Sequence, residues 1–260
     1  MILRRRAALN GVQLDELDER IVISGIEERP ARMSLTATGS VNGNGQRLTG
    51  FRRESIEIAI RFRMNIRKNA MAERAVLLER INGWAANGGV LVLGHRPDRQ
   101  ITVFLSQAPG GGEMYNWTDE FELLFTSLSV PYFEDALATS VSSGTTTAGT
   151  LWLTVPGNTQ TVVDVAVRNM SGATINSITV SVGGKLMQIN GTPIAGGRTV
   201  QWTHPNDGKN TYLRIHDGVR SLLGYRSGAD DFLVGPGNNR IDFNASRAVI
   251  VTASVRGRYL

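Results

Sequence analysis

Three carboxylates lie close together at Asp119, Glu120 and Glu122, and a pair of carboxylates is what glycoside hydrolysis requires. In such an enzyme the two groups face each other across the scissile bond, one as an acid and one as a base or nucleophile. Glu120 and Glu122 alternate with Phe121 and Leu123, so a strand would turn both carboxylates to its polar face. We therefore interpret the cluster as a solvated sheet edge.

Metal binding would require histidines or carboxylates at ligand spacing. The three histidines, His95, His204 and His216, show no such spacing. The run 206–210 is only loosely similar to a calcium loop, because it lacks alternating acidic ligands and a terminal glutamate. No metal site is predicted.

Two glycine clusters could suggest a phosphate-binding loop. Gly88-Gly89 follows a helical pattern instead of opening one, and Gly110–Gly112 is not followed by the required lysine and hydroxyl residue. A nucleophile-elbow pattern between a strand and a helix is also missing. The sequence therefore predicts a protein that is not an enzyme, with no catalytic residue and no cofactor.

The elements that carry these residues are predominantly β. Residues 55–64 alternate between apolar and polar side chains, which predicts a half-buried strand with Arg61 and Arg63 on its polar face. One helix is predicted between an N-cap at Asn69 and a C-cap at Asn87–Gly89, its apolar stripe packed on the sheet that contains this strand. The glycine-rich segment 36–46 predicts a long hairpin or loop.

The chain divides into three predicted segments. Residues 1–134 form an N-terminal β domain with the single helix, a barrel-like or sandwich arrangement. Residues 135–150 include an uncharged Ser/Thr/Gly-rich run and are predicted to be a linker. Residues 151–260 contain short strand patterns separated by glycine and asparagine turns, which predicts a β-sandwich or jelly roll.

Composition excludes several functional classes. The chain has no cysteine, which excludes disulfide frameworks and thiolate chemistry. The net charge of +5 comes from arginines spread along the chain and not from one basic run, so nucleic-acid recognition is not predicted. No stretch is apolar for the roughly 18 residues of a membrane helix, and the basic N-terminus lacks the apolar region of a signal peptide.

The order of these features resembles the distal tail (Dit) proteins of siphophages. The matching features are Leu9–Val12 near the start, the alternating strand 56–64, the helix ending at Asn87–Gly89, the Pro131–Phe133 boundary, and Phe232–Phe243, which looks like the penultimate hairpin of the family. The resemblance covers nearly the whole chain, and its specificity lies in the order of the features.

The resemblance implies a structural virion protein at the tip of a phage tail, assembled in the host cytoplasm. Such proteins form a homohexameric ring that joins the tail tube protein to the tail-associated hub protein. The N-terminal domain makes the ring, and a C-terminal galectin-like sandwich faces outward as a platform for receptor-binding or other baseplate proteins. The chain shows no long arm inserted in its second half.

Two sets of residues are candidates for contacts. Arg61 and Arg63 are candidates for the ring interface, because arginines on a polar strand face suit polar contacts between subunits. Trp202, Tyr212 and Tyr225 could contact a carbohydrate or a protein, although the first two are also expected in a sandwich core. A free carbohydrate-binding or adhesion module, and a hydrolase with an unrecognised carboxylate pair, stay open as alternatives.

Overall fold

The structure is a computed structural model that describes residues 5–39, 46–66, 70–109, 120–127, 131–204 and 213–260. It is mainly β with one α-helix, as the sequence predicts. The chain separates into two compact units, the first ending at Tyr132 and the second beginning at Phe133. The predicted boundary, after Glu134, lies two residues further along the chain.

The first unit contains nine strands and the helix within its described residues. They are β1 (Ala7–Leu9), β2 (Val12–Gln13), β3 (Ile21–Arg29), β4 (Met33–Gly39), β5 (Gln46–Arg53), β6 (Glu57–Met64), α1 (Met71–Ala85), β7 (Gly89–Leu93), β8 (Arg96–Gln107) and β9 (Glu120–Thr126). Seven strands form one antiparallel sheet in the order β2-β1-β7-β8-β9-β6-β3. The long strand β8 pairs with β7 through its first part and with β9 through its last part, so it joins the two halves of this sheet.

Strand β6 confirms the predicted alternation. Its even-numbered residues are buried and its arginines are exposed, although Ala59 on the arginine side is buried as well. Strands β3 and β9 pair with its two edges, so β6 is a central strand. The ring of Phe62 stacks on that of Phe121 in β9, with centroids 5.6 Å apart, and this contact anchors the buried face.

Helix α1 packs on this sheet, as predicted. Trp84 meets Phe125 of β9 edge to face at 6.2 Å, and the indole Nε1 donates to the carbonyl of Val12 at 3.0 Å. The helix begins at Met71, after Ala70, which gives no side-chain cap. The predicted N-cap, Asn69, lies outside the described residues. After the last helical residue the chain reverses through Gly88, whose φ of +60° favours glycine.

Strands β4 and β5 form a separate two-stranded antiparallel sheet. The sequence predicts this part of the chain as a long hairpin or loop, and β4 pairs with β5 from Met33–Arg53 to Gly39–Gln46. Leu35 is 63% exposed, so the hairpin buries little apolar surface within the described chain. The residues between its two strands lie outside the described part.

The second unit is built from twelve described strands. They are β10 (Phe133–Asp135), β11 (Thr139–Ser142), β12 (Thr146–Val155), β13 (Thr161–Asn169), β14 (Ile175–Val182), β15 (Lys185–Ile194), β16 (Thr199–Thr203), β17 (Arg214–His216), β18 (Arg226–Gly228), β19 (Leu233–Val234), β20 (Gly237–Val255) and β21 (Arg258–Tyr259). All named strand pairs in this unit are antiparallel.

Strand β20 belongs to both layers of a sandwich. Its first half pairs with β12 and β14, and its second half pairs with β11 and β13. One layer therefore has the order β12-β20-β14-β15-β18, and the other has the order β11-β20-β13-β16-β17. Buried side chains of both layers form one continuous hydrophobic core, which confirms the predicted β-sandwich.

Two predictions about the second unit are wrong. The predicted linker 135–150 contains β11 and the start of β12, and both strands pair with β20. An uncharged Ser/Thr/Gly composition is typical of flexible linkers, but here β-branched threonines fill an edge strand. The predicted hairpin 232–243 also fails, because β19 pairs with β13 and not with β20.

Candidate functional site

The polar face of the first sheet carries a row of opposite charges across three strands. We call these seven residues the charged ladder: Glu27 and Arg29 on β3, Glu57, Arg61 and Arg63 on β6, and Glu120 and Glu122 on β9. Strand pairing places them there, because Arg61 lies opposite Glu122, Arg63 opposite Glu120, and Arg29 opposite Glu57. Cross-strand pairs of opposite charge stabilise a sheet modestly.

Arg61 is the centre of the ladder. Its Nη2 lies 2.8 Å from Glu27 Oε2, and its Nε lies 2.9 Å from Glu122 Oε2. The hydrogen bond to Glu122 is the main cause that raises the pKa of Arg61. Gly25 lies opposite Arg61 on β3. Arg61 is therefore already paired within its own sheet.

Arg63 is held much less firmly. Its Nε is 3.7 Å from Glu120 Oε1, and 59% of its side chain is exposed. Glu120 also accepts a hydrogen bond from the hydroxyl of Ser24. Of the two predicted interface arginines, Arg63 therefore has the more available guanidinium.

The carboxylates of β9 are arranged as the sequence interpretation expected. Glu120 and Glu122 lie on the polar face, opposite the buried Phe121 and Leu123. Each faces an arginine: Glu120 Oε1 lies 3.7 Å from Arg63 Nε, and Glu122 Oε2 lies 2.9 Å from Arg61 Nε. Asp119 lies outside the described residues. The ladder can thus make polar contacts with another surface.

The histidines occupy three unrelated positions. His95 contacts Glu28, and His204 Nδ1 lies 3.4 Å from Asp164 Oδ1. His216 accepts a hydrogen bond at Nδ1 from the amide of Gly218 at 3.3 Å. No group of three or more metal-ligating side chains occurs in the described ranges. The loosely calcium-like run 206–210 falls outside those ranges.

The two described aromatic candidates of the second unit, Trp202 and Tyr225, lie in different environments. Trp202 is fully buried in the sandwich core, so its prediction as a carbohydrate or protein contact is wrong and the core interpretation holds. Tyr225 is 43% exposed in a short 3₁₀ turn that precedes β18. Tyr212 lies outside the described residues. No shared aromatic platform therefore forms from Trp202 and Tyr225.

An exposed aromatic residue that sequence reasoning missed is Trp152 on β12. It is 62% exposed and lies opposite Arg240 of β20. The alternation of Leu151, Trp152 and Leu153 contains the signal, because two leucines facing the core turn the residue between them outward.

Comparisons with known proteins identify the fold. No protein-family model matches the sequence, and no curated protein matches it. Among solved structures, the SPP1 Dit protein, described as a paradigm of the hub adsorption apparatus of phages that infect Gram-positive hosts, matches with a TM-score of 0.69 at 12% identity. The match covers 98% of this chain and 99% of that chain. This chain has the fold of a phage distal tail protein.

Two structures of the phage p2 baseplate in its activated conformation, with calcium and with strontium, match less well. Their TM-scores are 0.46 and 0.45 at 7% identity, over 96% of this chain and 97% of theirs. The resemblance stated from the order of sequence features is thus confirmed for the fold through SPP1 Dit, over both units.

Proposed function

We propose that this chain is a structural protein of a phage tail tip, where six copies form a ring between the tail tube and the tail-associated hub. The observation that carries the proposal is the match to SPP1 Dit, which extends over both units and leaves almost no residue of either chain uncovered. A general-purpose β-sandwich would match one unit only. Fold does not determine function by itself, so the ring needs its own test.

The second unit supports a role as an attachment platform. Trp202 lies wholly within its core, and its exposed residues include threonines, asparagines and charged side chains as well as Trp152 and Val219. Such a surface suits contacts with receptor-binding or other baseplate proteins. No described helix is long and apolar enough to span a membrane.

The alternative, a free carbohydrate-binding or adhesion module, would need Trp202 at the surface. A sugar ring could stack on Trp202 only if the indole were accessible, and that side chain is 0% exposed. A hydrolase would need two carboxylates that face each other across a cleft. The described carboxylates of β9 face arginines instead. Neither alternative has an observation of its own that favours it.

The experiment that tests the ring is the mass of the purified chain in solution, by light scattering at several concentrations, followed by negative-stain imaging. A ring of six has a mass of about 170 kDa, six times the 28.3 kDa of the chain. We expect this species, or an integral multiple, with a central hole in the images. A chain that stays monomeric both alone and with purified tail tube protein would overturn the proposal.

Arg63→Glu tests whether the charged ladder lies at the interface between neighbouring copies in the ring. Because Arg63 is paired only loosely within its own chain, reversing its charge should weaken the ring with little effect on folding. Arg61→Glu should weaken the ring too, but it also places a third carboxylate between Glu27 and Glu122 and should lower the unfolding temperature.

Arg247→Glu is the matched control, because Arg247 is exposed on the second unit and the charge change is the same. If Arg63→Glu forms rings as readily as Arg247→Glu does, the interface is assigned to the wrong face.

A further inference from the structure

Strand β12 forms an uncovered edge of the sandwich. In the described structure it pairs with β20 on one side, and no described strand pairs with its other side. Thr150, Trp152 and Thr154 are all exposed. An edge strand of this kind presents a row of unpaired backbone N–H and C=O groups.

This edge lacks the usual protection against pairing. Proteins shorten their edge strands or place charges and prolines on them. The described edge strands β11, β17 and β18 have four, three and three residues, whereas β12 has ten. None of the ten is charged and none is proline. The only register irregularity lies between Thr146 and Ala148, at one end of the strand.

The core is incompletely covered at the same place. Val141 on β11 and Leu151 on β12 are, among the described residues, the two hydrophobic residues that pack on the core while only partly buried. Both face inward from edge strands, so the gap between the layers opens on this side. A further strand added to β12 would extend the sheet and cover Leu151.

The sequence of β12 indicates which strand would fit. Residues 150–154 read Thr-Leu-Trp-Leu-Thr, the same in both directions about Trp152. If a second copy pairs antiparallel with its Trp152 opposite this one, Thr150 faces Thr154 and Leu151 faces Leu153 of that copy. Each threonine then meets a threonine, each leucine a leucine and the tryptophan a tryptophan. Aromatic and Thr–Thr pairs are among the favourable cross-strand pairs.

The outer face of the edge is already ordered for such a contact. Thr150 donates to Asp242 Oδ1 at 2.6 Å, and Thr154 donates to Asn238 Oδ1 at 2.7 Å. Arg240 Nε lies 2.9 Å from Asp242 Oδ2, so the residue opposite Trp152 is fixed as well. An ordered edge gives up less conformational freedom when it pairs.

We propose that β12 is a homotypic interface, at which two copies of this chain pair their β12 strands antiparallel about a two-fold axis at Trp152. The layer that contains β12 in one copy then continues across the axis into the same layer of the other copy. Such an isologous contact repeats every pair of residues twice, except the Trp152 pair on the axis itself. The interface is small, so we expect association that is visible at high concentration and not a permanent dimer. The pairing does not depend on ring formation.

Cysteine crosslinking tests the register directly, because the chain has no cysteine of its own. Thr150→Cys and Thr154→Cys are made as separate variants and mixed in equal amounts under mild oxidation. In the proposed register the thiol introduced at position 150 of one copy faces the thiol at position 154 of the other, at a Cβ separation of about 4.5–5.5 Å. Two thiols at position 150 would be about 13 Å apart along the strands, beyond the reach of a disulfide.

The mixture should therefore give a covalent dimer of about 57 kDa, twice the chain mass, on a non-reducing gel. At any moment half of the pairs in an equal mixture contain one of each variant and can crosslink. Either variant alone should crosslink no more than Val219→Cys, made at a position that is 71% exposed elsewhere on the second unit, which reports random collisions.

Two results would overturn the proposal. A mixture that crosslinks no more than Val219→Cys means that copies do not pair here, and the edge is then left to a strand of another protein. Equal crosslinking of the mixture and of each variant alone means that the register is wrong. Both results can be obtained whether or not the chain forms rings, so they are distinguishable from failure of the ring.

A charged residue on the edge provides a second measurement that needs no cysteine. Trp152→Lys places two like charges opposite each other on the axis, and charges on edge strands block pairing. In sedimentation equilibrium the mass of the parent chain should rise with concentration above the mass of the ring, or above that of the single chain if no ring forms. Trp152→Lys should remove this rise. Val219→Lys is the control and should keep it. If Trp152→Lys keeps the rise as fully as the control, β12 is not the contact.

Discussion

Asn10 occupies the space into which a side chain at Gly89 would project. A Cβ atom built on Gly89 would lie 2.1 Å from Asn10 Oδ1. The same carboxamide donates to the carbonyl of Gly88 at 3.0 Å and accepts a hydrogen bond from the amide of Val90 at 3.0 Å. The turn between β1 and β2 is thereby fastened to the segment that leaves helix α1.

Gly89→Ala should therefore destabilise the first unit. The new methyl group would displace Asn10, and the φ of +135° at this position is rarely adopted by residues other than glycine. We expect a loss of about 1–3 kcal/mol in the free energy of unfolding, measured by denaturant titration.

Gly83→Ala is the matched control for this substitution. Gly83 is exposed within α1, and a methyl group placed there would have no heavy atom within 4 Å. At this position alanine should stabilise by about 0.5–1 kcal/mol, because it restricts the unfolded chain more than glycine does. Equal effects of the two substitutions would contradict this account.

The Asn10–Gly89 contact also shows what the sequence can and cannot predict. Local turn chemistry identifies both motifs, Leu9–Val12 and Asn87–Gly89. Their contact joins distant parts of the chain, and a single sequence with no repeat or disulfide gives no sign of such a pairing. Long-range contacts come from the packing of whole elements, here the β1–β7 pair.

Strand patterns are easier to predict than their connections. The alternation in β6 and the burial of the β9 aromatics follow from side chains that alternate faces, which is a local property. The sequence predicts both halves of β20 but not their continuity, because Asn244–Ala248 contains small and polar residues that resemble a turn. In the structure this segment belongs to one strand of 19 residues.

The sequence predicts which residues of the candidate site face solvent, but not which residues they contact. Arg61 and Arg63 lie on a polar strand face as predicted, since that needs only the period of two. Their partners on β3 and β9 depend on strand order and register. The difference between a firmly paired Arg61 and a loosely paired Arg63 therefore appears only in the structure.

Glu134 and Arg258 form an ion pair that joins the first and last strands of the second unit. Arg258 Nε lies 2.9 Å from Glu134 Oε1, and the side chains of Arg258 and Glu134 are 14% and 8% exposed. Removing one partner of a largely buried pair takes away the attraction that offsets the desolvation of the other charge. Glu134→Ala should cost roughly 3–5 kcal/mol of unfolding free energy.

Glu73→Ala is the control for this pair. Glu73 lies 3.0 Å from Arg20 but is 63% exposed, so its loss should cost less than about 1 kcal/mol. The measurement is denaturant unfolding followed by tryptophan fluorescence, in which the buried Trp202 reports on the second unit and Trp84 reports on the first unit, where Glu73 lies. Similar losses for the two variants would mean that the burial of Glu134 has no energetic consequence.

Trp202 should behave as a core residue and not as a binding residue. Trp202→Ala removes the largest fully buried side chain among the described residues and should cost roughly 3–5 kcal/mol. Tyr225→Ala, at a side chain that is 43% exposed, should cost far less. The two variants are compared by thermal unfolding of the whole chain. A Trp202→Ala protein as stable as Tyr225→Ala would contradict the core assignment.

The charged ladder should make the stability of the first unit depend on pH in the acid range. The guanidinium group of Arg29, and to a smaller extent that of Arg61, holds the pKa of Glu27 below its usual value of 4.5. A carboxyl whose pKa is lower in the folded state than in the unfolded state stabilises the fold above the unfolded pKa. That contribution is lost as the pH falls through the folded pKa, when the group becomes protonated in both states.

Glu27→Gln should therefore unfold at a lower temperature than the parent chain near pH 7, and the difference should shrink as the pH falls below about 4.5. Because Glu27 is exposed, added salt should reduce the difference near neutral pH as well. Glu79→Gln, at an exposed position on α1, is the control for removing one negative charge. Thermal unfolding between about pH 3 and pH 7 measures both variants. A difference for Glu27→Gln that stays constant across this range, or grows in acid, would show that the ladder does not lower the pKa of Glu27 in the folded protein.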